Sequence, residues 1–99
     1  MSARAVIYKH RVDAHGRQFP AGRIVHVGTQ FDAETGVENV HAWVEHSLGS
    51  DGDVLSDRKM TMKIVGTGHP FDYGWDVAGT AQFSSVPLVM HVLVYRGNI

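Results

Sequence analysis

The sequence predicts an all-β protein, a small single-domain sandwich or barrel of six to seven mostly antiparallel strands. Short runs of β-branched and aromatic residues alternate between apolar and polar side chains, as half-buried strands do. Turn-forming Gly, Pro and Asp residues separate these runs at short intervals. Convincing helical spacing of apolar residues occurs in no window. A length of 99 residues predicts one domain, residues 1–99.

Alternation defines the strands of the N-terminal half. The opening strand places Tyr8 and His10 on one face. Pro20 lacks a backbone N–H, so the second segment is predicted to be an edge strand. A hairpin loop at 32–36 joins the third strand to a fourth with His41 and Trp43 on one face. The predicted strands here are residues 5–12, 17–20, 23–31 and 37–46.

The C-terminal half is predicted to contribute three more strands. In the fifth, Met62 and Ile64 point to one face and Lys63 to the other, which indicates one buried and one wet face. The last strand is apolar on both faces, so we expect it in the centre of a sheet and covered on both sides. These strands are residues 58–65, 77–83 and 88–95.

Composition excludes several classes of function. A net charge of −1 argues against nucleic acid as a partner, although it leaves room for a small basic patch. The longest apolar run, 86–95, is far shorter than the ~20 residues that span a bilayer, which argues against a membrane protein. The chain has no Cys, which removes disulfides, thiolate zinc sites and Cys nucleophiles. We expect a protein of the cytoplasm.

The densest cluster of functional side chains follows the fifth strand. Gly66-Thr67-Gly68-His69-Pro70 predicts a shaped loop, because glycine adopts backbone angles that other residues resist and Pro70 restrains His69. The next residues are rich in aromatics, which often anchor a partner chain. The predicted ligand- or partner-binding residues are Gly66, Thr67, Gly68, His69, Phe71, Tyr73 and Trp75.

Catalytic and phosphate-binding readings of this loop have less support. His69 with Asp72 or Asp76 would make a base held by a carboxylate, but Ser84, Ser85 and Thr67 as nucleophiles lack an elbow motif. The glycines match neither nucleotide-binding fingerprint, with Lys59 and Lys63 as the nearby cations. We therefore predict no catalytic residue and no cofactor, and keep a nucleotide-like small molecule as the alternative ligand.

Metal binding is also predicted to be absent. Seven His residues are many for this length, but His41 and His46 face opposite sides of one strand. The acidic loop with Asp51, Asp53 and Asp57 lacks the closing Glu of a calcium loop. We expect scattered surface and half-buried His residues instead.

Several different short motifs follow one another along the chain in a recognisable order. They are Tyr8-Lys9, Phe19-Pro20-Ala21-Gly22, Arg23-Ile24-Val25-His26-Val27, Trp43, Val65-Gly66-Thr67-Gly68-His69-Pro70, Gly79-Thr80-Ala81-Gln82-Phe83 and Met90-His91-Val92. Together they resemble an uncharacterised family of small proteins from tailed phages, prophages and their bacterial hosts. Longer insertions at 32–36 and 49–57 depart from it. The resemblance implies a phage-type accessory protein with a compact β fold and no assigned activity.

The function predicted from these observations is a non-enzymatic binding module, homo-oligomeric, that engages a host or phage protein in the bacterial cytoplasm. The alternative is a small-ligand protein that binds or sequesters a nucleotide signal at Gly66–His69. A further alternative is a structural component of the virion.

Overall fold

Seven β-strands form, and each coincides with one predicted from alternation. The computed structural model describes residues 4–97, and the observed strand ends lie within two residues of the predicted ones. The predicted all-β class is therefore confirmed. The strands are β1 (Arg4–Arg11), β2 (Arg17–Pro20), β3 (Arg23–Phe31), β4 (Glu38–Leu48), β5 (Lys59–Gly66), β6 (Asp76–Gln82) and β7 (Val89–Tyr95).

Two open sheets pack face to face as a small sandwich, not as a closed barrel. Sheet A has the strand order β1-β4-β3, and sheet B has the order β2-β5-β7-β6. Every pairing is antiparallel. A helix long and apolar enough to cross a membrane does not occur between residues 4 and 97.

The core lies between the central strands of the two sheets. From sheet A, β4 contributes alternate residues that are almost fully buried, because period-two alternation points them all inward. From sheet B, β5 and β7 contribute the facing side chains. The buried apolar residues of this cluster are Val12, Val40, Ala42, Val44, Met60, Met62, Ala81, Val92 and Val94.

One lateral edge of the sandwich is closed by β3 against β6. Gly79 makes this approach possible, because a Cβ there would lie 2.8 Å from Cγ2 and 2.9 Å from Cβ of Val27. The same position carries a register shift between Val77 and Gly79 in the pairing with β7. The absence of a side chain thus lets the two sheets meet closely.

The β7 strand is central and covered on both faces, as its apolar run predicts. Val92 and Val94 face the core, and Leu93 faces the other way yet is also fully buried. Lys63 and Val77 flank Leu93 on the neighbouring strands. The outer face of sheet B is therefore partly covered, and one predicted site residue, Trp75, packs there on Tyr95 and Lys63.

Candidate functional site around the 66–69 turn

The 66–69 turn (Gly66, Thr67, Gly68 and His69) ends β5 as a tight reversal. The His69 amide donates a hydrogen bond to the Gly66 carbonyl at 3.2 Å. Gly68 adopts a φ of +86°, the left-handed region that glycine enters without steric cost. The loop shape predicted from the two glycines and Pro70 is therefore present.

His91 attaches this turn to sheet B. Its Nε2 lies 2.8 Å from Thr67 Oγ1, and its Nδ1 lies 2.9 Å from Thr80 Oγ1. A neutral imidazole donates from one nitrogen and accepts at the other, and a hydroxyl can fill either role. Both bonds are thus available at once, and they fix the turn against β6 and β7. The sequence gives no local sign of this link, since 24 positions separate Thr67 from His91.

His69 folds back on its own turn and does not pair with an acid. A Cβ on Gly66 would lie 3.1 Å from His69 Nδ1, so the ring rests over the glycine. Among residues 4–97, His69 forms no ion pair with Asp72 or Asp76. The base–carboxylate arrangement considered from the sequence is not formed in this geometry.

Two open depressions lie on either side of the turn and share three of its residues. One has a volume of about 220 Å³, and the other about 440 Å³. The smaller is lined by Val65, Gly66, Thr67, Gly68, His69, Phe71, Val77 and His91. The larger is lined by Gly66, Thr67, His69, Pro87, Leu88 and Val89.

The 71–75 segment sends its three aromatic side chains to different places. Phe71 lines the smaller depression and keeps 44% of its surface exposed. Tyr73 is fully exposed beside Gly74, whose φ is +96°. Trp75 packs against Tyr95, with 5.5 Å between ring centroids. Of the seven predicted site residues, five line one depression, Tyr73 projects from the surface, and Trp75 packs on Tyr95 and lines a separate depression with Lys63.

The lysines near this region in sequence lie away from the turn. Lys63 places its ammonium 4.3 Å from the centroid of a Trp75 ring, and Lys59 lines a separate depression with Arg58 and Arg96. Within the described chain, neither depression at the turn is lined by a lysine or arginine. A phosphate there would therefore rely on backbone amides without a neighbouring cation.

A carboxylate that sequence analysis overlooked holds the β6–β7 connection. Glu38 accepts hydrogen bonds from the amides and hydroxyls of Ser84 and Ser85, and from the Thr29 hydroxyl. Burial alone would raise the pKa of Glu38, but the hydroxyls of Ser85 and Thr29 and the two amides lower it to about 2. Such a carboxylate is a poor base, and its serine partners are engaged, so this cluster is structural.

A histidine pair occupies the inner face of sheet A near β2. The Nε2 atoms of His10 and His46 are 3.0 Å apart, and His46 is only 1% exposed. Its Nδ1 has no hydrogen-bond partner among the described residues. Burial lowers the pKa of His10, and the neighbouring His46 lowers it further. Between residues 4 and 97, no group of three or more His, Asp or Glu is arranged to hold a metal ion.

Comparison with known proteins identifies the family without naming an activity. Residues 3–98 match the family described as Domain of unknown function (DUF7352). Neither a curated protein nor a solved structure shows a significant match to the chain. Because the match spans nearly the whole chain, this protein belongs to the DUF7352 family.

Proposed function

We propose that this protein is a non-enzymatic binding module whose partner is another protein, held at the 66–69 turn and the 71–75 segment. The observation that carries the proposal is the exposed apolar surface around the turn. Phe71, Val77 and Leu88 are each more than 40% exposed and line the two depressions, and Tyr73, two residues after Phe71, is fully exposed. Apolar surface of this kind, with an aromatic side chain at its edge, is typical of protein interaction sites.

The shape of the surface favours a protein over a small ligand. Small-molecule pockets of about 300–1,000 Å³ usually bury most of their ligand. The depression that holds Phe71 has a volume of about 220 Å³, and its larger neighbour is open to solvent. Apolar side chains of a partner could fill both while Tyr73 packs against its surface. A nucleotide ligand has less support, because neither depression at the turn is lined by a lysine or arginine of the described residues.

The rigidity of the surface also supports binding. Thr67 is held by His91, and the His69 amide closes the turn on the Gly66 carbonyl, so little conformational freedom is lost when a partner docks. The partner that fits the sequence resemblance is a host or phage protein in the bacterial cytoplasm, with the chain acting as a phage-type accessory protein. Self-association is part of the proposal, because β1 and β2 are sheet edges on the side of the sandwich that the contact of β3 with β6 does not close.

Photo-crosslinking in bacterial cells tests the proposed surface. Benzoylphenylalanine replaces Tyr73 in one strain and Ile7 in another; both positions are exposed, and Ile7 lies on sheet A. We expect the Tyr73 probe to give a discrete adduct to one protein, identified by mass spectrometry, and the Ile7 probe not to give it. The same adducts from both positions, or none from Tyr73, would refute the proposal.

A titration with the purified partner then measures how much Tyr73 and Leu88 contribute to the free energy of binding. Tyr73→Ser removes the projecting aromatic without disturbing the core, and Leu88→Ser changes the rim of the larger depression. Hot-spot aromatics cost about 2 kcal/mol or more when truncated, which is about 30-fold in affinity. Unchanged affinity in both variants would place the interface elsewhere.

A further inference from the structure

The outer face of sheet A carries a second cluster of side chains that the turn does not involve. Strand β4 runs through its centre, and alternation points His41 and Trp43 outward. Register places Lys9 opposite Trp43 and Arg11 opposite His41 on β1, while His26 on β3 lies opposite Trp43 from the other side. Five residues from three strands thus meet on one sheet surface.

Aromatic rings form the middle of this cluster. The Trp43 ring centroid is 5.1 Å from that of His26 and 6.2 Å from that of His41. Gly28 adds no side chain beside them, and the His26 ring lies over it: a Cβ there would be 3.1 Å from His26 Nε2 and 3.8 Å from Trp43 Cζ3. Trp43 is half-buried and His26 is exposed. The indole therefore lies at the centre of the face, flanked by the His26 and His41 rings, and a planar group would meet the part of it that stays exposed.

Two cations that form no ion pair among the described residues, Lys9 and Arg11, border these rings. The outward carboxylate of β4, Glu45, is paired with Arg23 at 3.2 Å. Lys9 instead bonds a neutral amide, the Oε1 of Gln30, at 2.6 Å. The pKa of Asp32 is lowered mainly by hydrogen bonds from the Thr35 and Glu34 amides and only to a small extent by the charge of Arg11. Two exposed cations are left for an anionic partner.

We propose that this face, formed by Lys9, Arg11, His26, His41 and Trp43, binds single-stranded nucleic acid. A base stacks on Trp43, and the neighbouring phosphates lie against Lys9 and Arg11. Sheet faces that combine exposed aromatics with flanking cations bind unpaired bases by stacking and backbone phosphates by charge. A duplex hides its base faces, and a half-buried indole on a flat sheet cannot reach them.

An acidic peptide is the competing occupant, and the aromatic centre argues against it. Carboxylates would use Lys9 and Arg11 but gain little from a central indole flanked by imidazoles. Burial lowers the pKa of His41, and Lys9 and Arg11 lower it further against the opposing effect of the Asn39 carbonyl. His41 therefore stays neutral near pH 7. With a net charge of −1 the protein has no long-range attraction for a polyanion, so binding is local and salt-sensitive.

Fluorescence anisotropy with a labelled oligonucleotide of about 12 nucleotides, at about 50 mM salt, tests the proposal. We expect saturable binding of oligo-U or oligo-dT and much weaker binding of a duplex of equal length. Lys9→Gln with Arg11→Gln should reduce affinity about tenfold and reduce the salt slope by about 1.4, since each phosphate contact on a single strand contributes about 0.7. Absent single-strand binding, or equal duplex binding, would overturn the proposal.

A matched pair of charges elsewhere provides the control. Arg58→Gln with Lys59→Gln removes the same charge from a depression at the start of β5. That variant should keep the affinity for the oligonucleotide within about twofold of the wild type, because salt screens charges that lie farther than about 10 Å from the bound strand. An equal loss in both double variants would show a diffuse electrostatic effect and overturn the assigned site.

Stacking on Trp43 is tested separately from charge. Trp75→Phe leaves Trp43 as the sole tryptophan, whose emission should be quenched by oligo-dT and not by polyglutamate of equal charge. Trp43→Leu should weaken binding about 5- to 160-fold. If the Trp43→Leu variant does not fold, the quenching of Trp43 emission by oligo-dT tests on its own whether a base stacks on this ring. Polyglutamate that quenches Trp43 and competes equally with oligo-dT would assign the face to acidic peptides and refute the proposal.

Discussion

The two outer faces of the sandwich differ in what covers them. On sheet B, the 71–75 segment folds back, so that Trp75 contacts Tyr95 and Phe71 shares a depression with Val77 and His91. On sheet A, Lys9, Arg11 and His26 stay exposed. The difference follows from the central strands: β7 is apolar on both sides, whereas β4 alternates strictly. A two-sided apolar strand needs a cover, and an alternating strand leaves its polar face to solvent.

The largest expected effect comes from deleting the buried side chain on the outer face of sheet B. Leu93 is 0% exposed although it points away from the core. Leu93→Ala should lower the free energy of unfolding by about 2–5 kcal/mol, because it leaves a cavity beneath the covering segment. Ile7→Ala, at a 54% exposed position on the outer face of sheet A, should cost less than about 1 kcal/mol.

Urea unfolding of both variants measures this contrast. The slope with urea should stay unchanged, so that the shift in midpoint reports stability directly. Equal losses at the two positions would mean that the two outer faces are covered alike.

The next largest effect is expected in the melting temperature, when one of the two carboxylates on opposite faces of β4 is replaced. Glu38 accepts bonds from Thr29, Ser84 and Ser85, whereas Glu45 makes an exposed pair with Arg23. Glu38→Gln should lower the melting temperature clearly more than Glu45→Gln, because a neutral amide is a weaker acceptor and its NH₂ faces donors. Thermal unfolding followed by circular dichroism decides between them; a larger loss for Glu45→Gln would contradict the assignment.

The same carboxylate predicts how stability responds to acid. The folded pKa of Glu38 is about 2, below its ordinary value of 4.5, so the unfolded chain binds its proton more readily. Its contribution to stability is present above pH 4.5 and is lost as pH falls toward about 2. Glu38→Gln should flatten that part of the stability profile, and a profile unchanged by the substitution would refute this origin.

A smaller effect at milder pH comes from the histidine inside the sandwich. Burial and His46 lower the pKa of His10 below 6.5, so the unfolded chain takes up its proton first as pH falls. Stability should therefore decrease as pH falls below 6.5 toward the lowered value. Burial also lowers the pKa of His41 on the outer face of sheet A, so this residue should likewise reduce stability as pH falls.

His10→Gln should reduce this pH dependence, and His15→Gln, at an exposed position in the β1–β2 connection, should not. The free energy of unfolding from urea titrations between pH 7.5 and 5 gives the comparison. Equal pH profiles for wild type and His10→Gln would show that the pair does not drive the effect.

Local patterns predicted the strands, the central position of β7 and the shape of the 66–69 turn, because alternation and glycine chemistry act over a few residues. Tertiary contacts decided the rest. Tyr73 and Trp75 look equivalent in sequence, yet one is exposed and the other packs on Tyr95. Glu38 meets Ser84 across 46 positions. The cluster around Trp43 depends on the order β1-β4-β3, which alternation does not encode.

The smallest expected effect distinguishes two outward lysines, Lys63 on sheet B and Lys9 on sheet A. Lys63 lies over Trp75 with its ammonium 4.3 Å from the ring centroid, so Lys63→Gln should cost about 0.5–1 kcal/mol of stability through a lost cation–π contact. Lys9→Gln removes only an exposed bond to Gln30, so its cost should stay below about 0.5 kcal/mol while oligonucleotide affinity falls. Urea unfolding and anisotropy on the same two proteins measure both quantities. If Lys63→Gln weakened oligonucleotide binding as much as Lys9→Gln did, the two faces would not be functionally distinct. The lysine on the covered face is thus expected to act in packing and the lysine on the open face in binding.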